Sequence, residues 1–463
     1  MERTHGFGKG LAKLSGSVDL TQGSIIKGMV AFILPLLLGQ LLQQFYNLAD
    51  AWVVGNFADN DAFAAVSSAG SVVFLIVGFF NGIAIGGGVI ISRYYGAKDH
   101  ENVMRAVHTN FFFGVVASVV ATVVGLLIVP YILRWMNTPD SVMPDALLYF
   151  RVYLGGVSTV ILYNIAMAIM RSLGDSMHPL FYLMVSSLTN VALDLLFVAV
   201  FHWGVGGAAA ATVASQALSC VLCIIKMLRS EGDMHLDVKK LRFYPGILGE
   251  VMGQGLPSGI QNSVISIGNI VVQANINAFG AFAMSGHGAY AKIESVVFLP
   301  ITCISMSLPT FVSQNLGAKQ YARARRGSII FVIVGVVLAE LIGVLLSVLA
   351  PDAIRLFIDE EEAISYGIVQ IGITTPFYCL LSFSHCSAGV LRGCGKSMVP
   401  MVTMLSFWCA FRILYVTVAT HFFPVYSTIA WAYPITWSLS SIVFAVSLWR
   451  LKWKGTDALE GQI

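Results

Sequence analysis

Residues 93–105 read RYYGAKDHENVMR, and residues 314–326 read QNLGAKQYARARR. Aligned on GAK, Gly96, Ala97, Lys98 and Arg105 fall on Gly317, Ala318, Lys319 and Arg326, an offset of 221 residues. The same offset carries Pro130 and Arg134 onto Pro351 and Arg355. It also carries Arg171, Gly174, Ser176, Met177 and Pro179 of RSLGDSMHP onto Arg392, Gly395, Ser397, Met398 and Pro400 of RGCGKSMVP. Upstream, Pro35 and Asn47 meet Pro257 and Asn269 at 222. Three separated blocks in one register mark an internal duplication, and each copy must be a unit of several helices.

The medium of those helices follows from composition. Of 463 residues, 57% are hydrophobic and only 11% charged, against roughly 25% charged in soluble domains. Three soluble domains of that composition would leave far too much apolar surface in water. The net charge of +3 and the lack of any basic, aromatic-rich stretch exclude nucleic acid as a partner. The seven cysteines are odd in number and lie mostly in apolar runs, which suits buried thiols better than disulfides. Cys220 and Cys223 form one CxxC with no second pair or nearby His, so a metal or redox site there is not expected. Residues 1–24 are polar and do not read as a cleavable signal.

Apolar runs able to cross a bilayer of about 30 Å lie near 28–55, 62–92, 108–133, 146–170, 179–201, 204–226, 247–277, 282–312, 328–350, 364–391, 399–421 and 426–449. The expected fold is all-α and integral to the membrane: twelve transmembrane helices in two six-helix, parallel-repeat bundles around a central cleft. Residues 1–24 are a tail, 25–226 an N-lobe, 227–245 a linker, 246–450 a C-lobe and 451–463 a second tail. Of the 27 Lys and Arg, 22 fall in the two tails and every second loop, which places both termini in the cytoplasm. Six helices per copy relate the copies by an axis along the membrane normal, the architecture of parallel-repeat transporters that rock between two open states. Channels and membrane enzymes can share a duplicated bundle.

Polar groups inside the spans locate the candidate site. Gln40, Gln43, Gln44, Asn47 and Asp50 recur at helical steps along the first span. Gln254, Ser258, Asn262, Ser266, Asn269 and Gln273 make a matching stripe on the seventh. Single amides of this kind often serve as interhelical glue, whereas two matched stripes favour a shared wet cleft. Asp50 lies roughly 9 Å inside the outer end of its helix, and Asp194 lies at similar depth in the fifth span. A charge there costs several kcal/mol. Asn190 stands one turn before Asp194, and the sixth span offers Thr212. Such oxygens suit either a proton or Na⁺, a role favoured over that of a structural carboxylate paired with a nearby donor. Glu294, Glu340, Lys292 and Arg412 either line the cleft or brace helix pairs. Glu294 is grouped with the cleft. His287 and His385 read as satisfied groups near helix ends. Gly204–Gly207 lacks the Lys-Ser/Thr of a phosphate loop. Met167, Met170, Met184, Met306, Met401 and Met404 suit either core filling or an adaptable ligand lining.

LPLLLGQLLQQFYNLADAWVVG, SRYYGAK with its partner SQNLGAK, RSLGDSMHP, LTNVALDLLFV and AKIESVVFLP, in that order and duplication, resemble the multidrug and toxic compound extrusion (MATE) family over nearly the whole chain. The resemblance implies an antiporter, not an enzyme, that exports organic cations and amphipathic drugs against H⁺ or Na⁺ and needs no cofactor beyond that ion. By the same resemblance Asp50, Asn190, Asp194 and Thr212 match the cation site of the prokaryotic DinF-type branch, and Gln43 and Tyr46 match residues near it. The substrate cleft is then expected at Gln40, Gln43, Tyr46, Asn47, Asn262, Asn269, Gln273 and Glu294. A prokaryotic inner membrane, the lipid bilayer as surroundings and a functional monomer complete the expectation. The alternative within transport is a carrier or flippase for a lipid-linked or native metabolite. An intramembrane aspartyl protease is disfavoured, because neither Asp50 nor Asp194 sits in a YD or GxGD context.

Overall fold

The computed structural model describes residues 17–57, 60–135 and 142–453. The remaining tail residues, with Arg3, Lys9, Lys13 and Lys454, lie outside the described residues, as do parts of the first and third loops. Every described element is helical. The chain runs α1 (Ile25–Phe57), α2 (Asn60–Gly96), α3 (His100–Trp135), α4 (Met143–Gly155), α5 (Val157–Ser172), α6 (Met177–Asp194), a π-helical turn (Leu195–Val200) and α7 (Gly204–Arg229). It continues as α8 (Pro245–Asn277), α9 (Ala281–Val297), α10 (Leu299–Gly317), α11 (Tyr321–Val348), α12 (Ala350–Arg355), α13 (Glu361–Thr374) and α14 (Tyr378–Gly393). The last three helices are α15 (Met398–Met404), α16 (Arg412–Phe422) and α17 (Tyr426–Trp449).

Among the described residues nine helices are long and apolar enough to cross a membrane, and two bent pairs raise that number to eleven. The remaining apolar run, 247–277, is helical throughout as α8. Its Gln and Asn stripe makes it too polar to join that set. The bends have local causes. Gly156 separates α4 from α5 at 46°, and Phe298 separates α9 from α10 at 49° just ahead of Pro300, whose ring removes a backbone donor. At the position equivalent to Gly156 in the second copy, a 3₁₀ turn, Thr375–Phe377, joins α13 to α14 around Pro376.

Two compact units divide the chain within α8, one up to Gly259 and one from Ile260. In the first unit, glycines let α2 and the start of α8 touch backbone to backbone. A Cβ on Gly86 would lie 2.3 Å from Gly255 Cα, an approach that only glycine permits. Tyr94 at the end of α2 adds a hydroxyl 3.1 Å from both Glu250 oxygens. The core of this unit is built on Phe150, Leu154, Ile161, Ile169 and Met170. In the second unit Tyr290, Ile301, Tyr378, Leu391, Trp437 and Phe444 form the corresponding core. Met170 and Met404 are both fully buried within these cores, the packing role rather than a lining.

The duplication is visible in backbone geometry. Lys98 and Lys319 both take φ 57°, a left-handed value uncommon for lysine. Each donates its N–H to the carbonyl three residues back, at 3.0 Å. Gly174 and Gly395 close the second pair of turns at φ 86° and 75°. The polar stretch after α7 is pinned to α3. The Asp237 amide donates to His108 Nε2 at 2.9 Å, the Tyr244 amide to Thr109 Oγ1 at 3.3 Å, and His100 pairs with Asp233 at 2.7 Å. All seven cysteines are free.

Candidate ion-coupling site in the first unit

Asp50 and Asp194 come together. α1 packs along α6, and the two carboxyls lie within hydrogen-bonding reach of each other. Asp194 is the last residue of α6 and is fully buried, as is Asn190 one turn earlier. Both oxygens of Asp194, Asp50 Oδ1 and both polar atoms of the Asn190 amide are buried without a protein partner. Among the described residues neither carboxyl joins an ion pair. Two carboxylates cannot bond to one another unless a proton or a cation lies between them. Unscreened, two like charges about 4 Å apart repel by roughly 4 kcal/mol at an effective dielectric near 20.

Tyr46, one turn before Asp50, places its hydroxyl within hydrogen-bonding reach of Thr212 on α7. Two further tyrosines of α4 face the cluster: Tyr149 and Tyr153 are both buried, stacked at 6.0 Å, and Tyr149 interacts electrostatically with Asp50, Tyr46 and Asp194. These two were not singled out from sequence, where they read as ordinary aromatics in an apolar span. Their four-residue spacing at positions that the 221 offset maps onto Gln370 and Thr374 is the signal that marks them. The bend at Gly156 holds α4 here, since a Cβ on Gly156 would lie 2.1 Å from Val213 Cγ1 beside Thr212.

One turn beyond the polar groups, on the side away from the α7–α8 connection, Val53, Val198 and Ala208 form a separate buried cluster. Val198 belongs to the π turn that follows Asp194, a helix irregularity often found at functional sites. α6 and α7 are held together toward their other ends by Ser186 Oγ donating to the Ser215 carbonyl at 2.7 Å and Ser219 Oγ donating to the Tyr182 carbonyl at 3.2 Å.

The remaining expected residues do not gather at this point. On α1, Gln43 and Asn47 are exposed whereas Tyr46 and Asp50 are half-buried, so the stripe divides. On α8, Asn262 accepts from Ser266 Oγ through its carbonyl at 3.0 Å, and Gln273 Nε2 donates to Asn277 Oδ1 at 2.9 Å, while Asn269 is exposed. Glu294 lies inside the second unit, accepting from the Tyr290 hydroxyl at 2.6 Å. Glu340 braces α11 to α14 by accepting the Cys379 amide at 3.2 Å, and Arg412 braces α16 to α17 through Thr436. His287 sits near the start of α9, bonded to Tyr426. His385 corrects the reading of a helix-end histidine: it lies mid-way along α14, between the rings of Phe298 and Trp408. Among the described residues no three His, Cys, Asp or Glu side chains converge on a metal position.

Comparison with known proteins returns the family model described as MatE twice, over residues 35–196 and 257–418. The chain is 26% identical over 441 residues to "Probable multidrug resistance protein YoeA" of Bacillus subtilis (strain 168), covering 93% of this chain and 95% of that one. It is 26% identical over 391 residues to "Probable multidrug resistance protein YpnP" of the same organism, with 84% and 87% covered. Its fold matches a solved structure from Pyrococcus furiosus at a TM-score of 0.85 and 19% identity, with 95% and 97% covered. That structure is described as "Reverse polarity of binding pocket suggests different function of a MOP superfamily transporter".

Proposed function

Because the chain belongs to the MatE family, a family of multi-spanning membrane transporters and not of enzymes, we propose that it is a secondary active multidrug exporter. Organic cations and amphipathic drugs leave in exchange for H⁺ or Na⁺. The observation that carries this reading is the half-buried Asp50 beside the fully buried Asp194, two carboxyls in mutual reach that form no ion pair among the described residues.

In this reading the pair takes up one coupling ion from outside. A proton is shared between the carboxyls, or Na⁺ is held by Asp50, Asp194, the Asn190 amide oxygen and the Thr212 hydroxyl, all hard oxygens suited to it. Neutralisation removes the repulsion between the carboxylates and favours one member of a conformational pair. The drug favours the other, so ion and drug exchange without touching. Asp50, Asn190, Asp194 and Thr212, as the coupling residues, also support the DinF-type branch. Gln40, Gln43, Tyr46, Asn47, Asn262, Asn269, Gln273 and Glu294 are proposed as the residues that meet substrate. Twelve spans in two parallel six-helix repeats, both termini cytoplasmic, a prokaryotic inner membrane and action as a monomer belong to the same proposal.

The similarity in fold to the Pyrococcus furiosus transporter, described as differing in function, gives reason to keep a second reading, a carrier for a lipid-linked or native metabolite. Vesicles carrying the protein, loaded with ethidium and given a pH gradient or separately a Na⁺ gradient, decide between them. Dye flux that follows either gradient supports export and names the ion. No flux under either gradient moves the assignment to the second reading.

A further inference from the structure

The second unit carries its own carboxyl inside the helices, and the duplication does not explain it. Positions equivalent to Asp50 and Asp194 are Val272 and Tyr415, so the acids of the first repeat have no counterparts there. Glu294 stands instead on α9, about 20 Å along the helix from Ala281 by residue count. Tyr290 Oη donates to Glu294 Oε1 at 2.6 Å and lies 3.5 Å from Tyr378 Oη. Tyr378 also reaches Glu294, and the Thr374 hydroxyl of α13 is in reach of both phenols.

Across from this group is Arg412, 2% exposed. Its Nε and Nη2 donate to Thr436 Oγ1 at 3.3 and 2.8 Å, and its guanidinium packs over the rings of Tyr433 and Trp408 at 4.7 and 5.6 Å. Arg412 interacts with Glu294 electrostatically, yet among the described residues the two form no contact ion pair. The groups facing Glu294 are therefore Tyr290 on its own helix, Tyr378 on α14, Thr374 on α13, Arg412 on α16 and Tyr433 on α17.

A file of polar groups approaches from the start of α9. His287 Nδ1 meets Tyr426 Oη at 3.3 Å, and Tyr426 donates to Gln370 Oε1 at 3.0 Å. Because the single Tyr426 proton goes to Gln370, His287 supplies the N–H of its bond. Gln370 is fully buried with Nε2 lacking a partner, one turn before Thr374. Gln370 and Thr374 are the repeat equivalents of Tyr149, which interacts with the carboxyls of the first unit, and of Tyr153.

We propose that Glu294 is a second exchanging carboxyl, binding a proton in each transport cycle and reached along the His287–Tyr426–Gln370–Thr374 file. This rests on reading the chain as an ion-driven exporter. A proton fits and Na⁺ does not: one carboxylate surrounded by phenol donors offers no cage of oxygen acceptors, and Arg412 repels a metal cation. Protonation converts Glu294 from carboxylate to carboxylic acid and leaves the Arg412 charge without its counter-charge. A cationic drug bound by this lobe is then repelled, so proton entry and drug release are linked through charge.

The test uses purified full-length protein with tetraphenylphosphonium as the cation and a pH-indicating dye as the readout. Wild type releases protons on binding. Counted per cation bound at saturation, Glu294→Gln releases about half as many, as does Asp50→Asn. Infrared difference spectra on acidification, which require no ligand binding, lose a protonated-carboxyl band in Glu294→Gln. Undiminished proton release, or an unchanged carboxyl band, in Glu294→Gln overturns the proposal. Undiminished release in Asp50→Asn alone overturns the first-unit reading and leaves Glu294 standing.

Discussion

Asp50 and Asp194, on helices far apart in the chain, bring their carboxyls within hydrogen-bonding reach where neither meets a cation. An arrangement that raises the energy of the empty, fully ionised site is what an ion-coupled transporter needs, since the ion then shifts a conformational equilibrium by differential binding.

Asn190, one turn before Asp194, has both amide atoms buried without a protein partner. Asn190→Leu is expected to slow gradient-driven dye flux by about tenfold, the cost of one lost hydrogen bond, with little change in thermal stability. Unchanged flux would remove Asn190 from the site.

Gly156 fits against Val213 with no room for a methyl group. Gly156→Ala should destabilise the protein by about 1–3 kcal/mol, read as a lower unfolding temperature in detergent. The double variant with Val213→Ala should recover most of the loss. Failure of the second change to rescue would mean the bend itself, not this contact, requires glycine.

Lys98 and Lys319 hold left-handed backbone in equivalent turns. Lys98→Gly and Lys319→Gly should each stabilise by up to about 1 kcal/mol through relief of that strain. Thermal unfolding of each variant checks this, and opposite signs at the two sites would show that the turns are not equivalent.

Glu250 is the acid of α8, and its carboxylate is taken by Tyr94. Glu250→Gln should therefore keep ion-driven flux within about twofold, at a stability cost near 1 kcal/mol. Loss of flux would relocate coupling to the start of α8.

Much of this was legible in the sequence because hydrocarbon imposes a strong filter. Apolar runs of sufficient length marked the long helices and the two bent pairs, and GAK and RSLGD/RGCGK marked the repeat because their turns need special backbone angles. Asp50, Asn190 and Asp194 stood out because polar side chains within such runs require a reason. Tyr149, Tyr153, Tyr290 and Tyr378 did not, since an aromatic in an apolar run signals nothing about its hydroxyl. The bend at Gly156, the π turn after Asp194 and the mid-helix place of His385 depend on packing between helices, which one-dimensional patterns do not carry. The Val53, Val198 and Ala208 layer is likewise invisible until three helices are brought together.

The most direct test of the central claim is gradient-driven ethidium flux in proteoliposomes of wild type, Asp50→Asn and Asp194→Asn, with equilibrium dye binding measured on the same preparations. Flux should vanish in both variants while binding remains. Normal flux in both variants would contradict that claim.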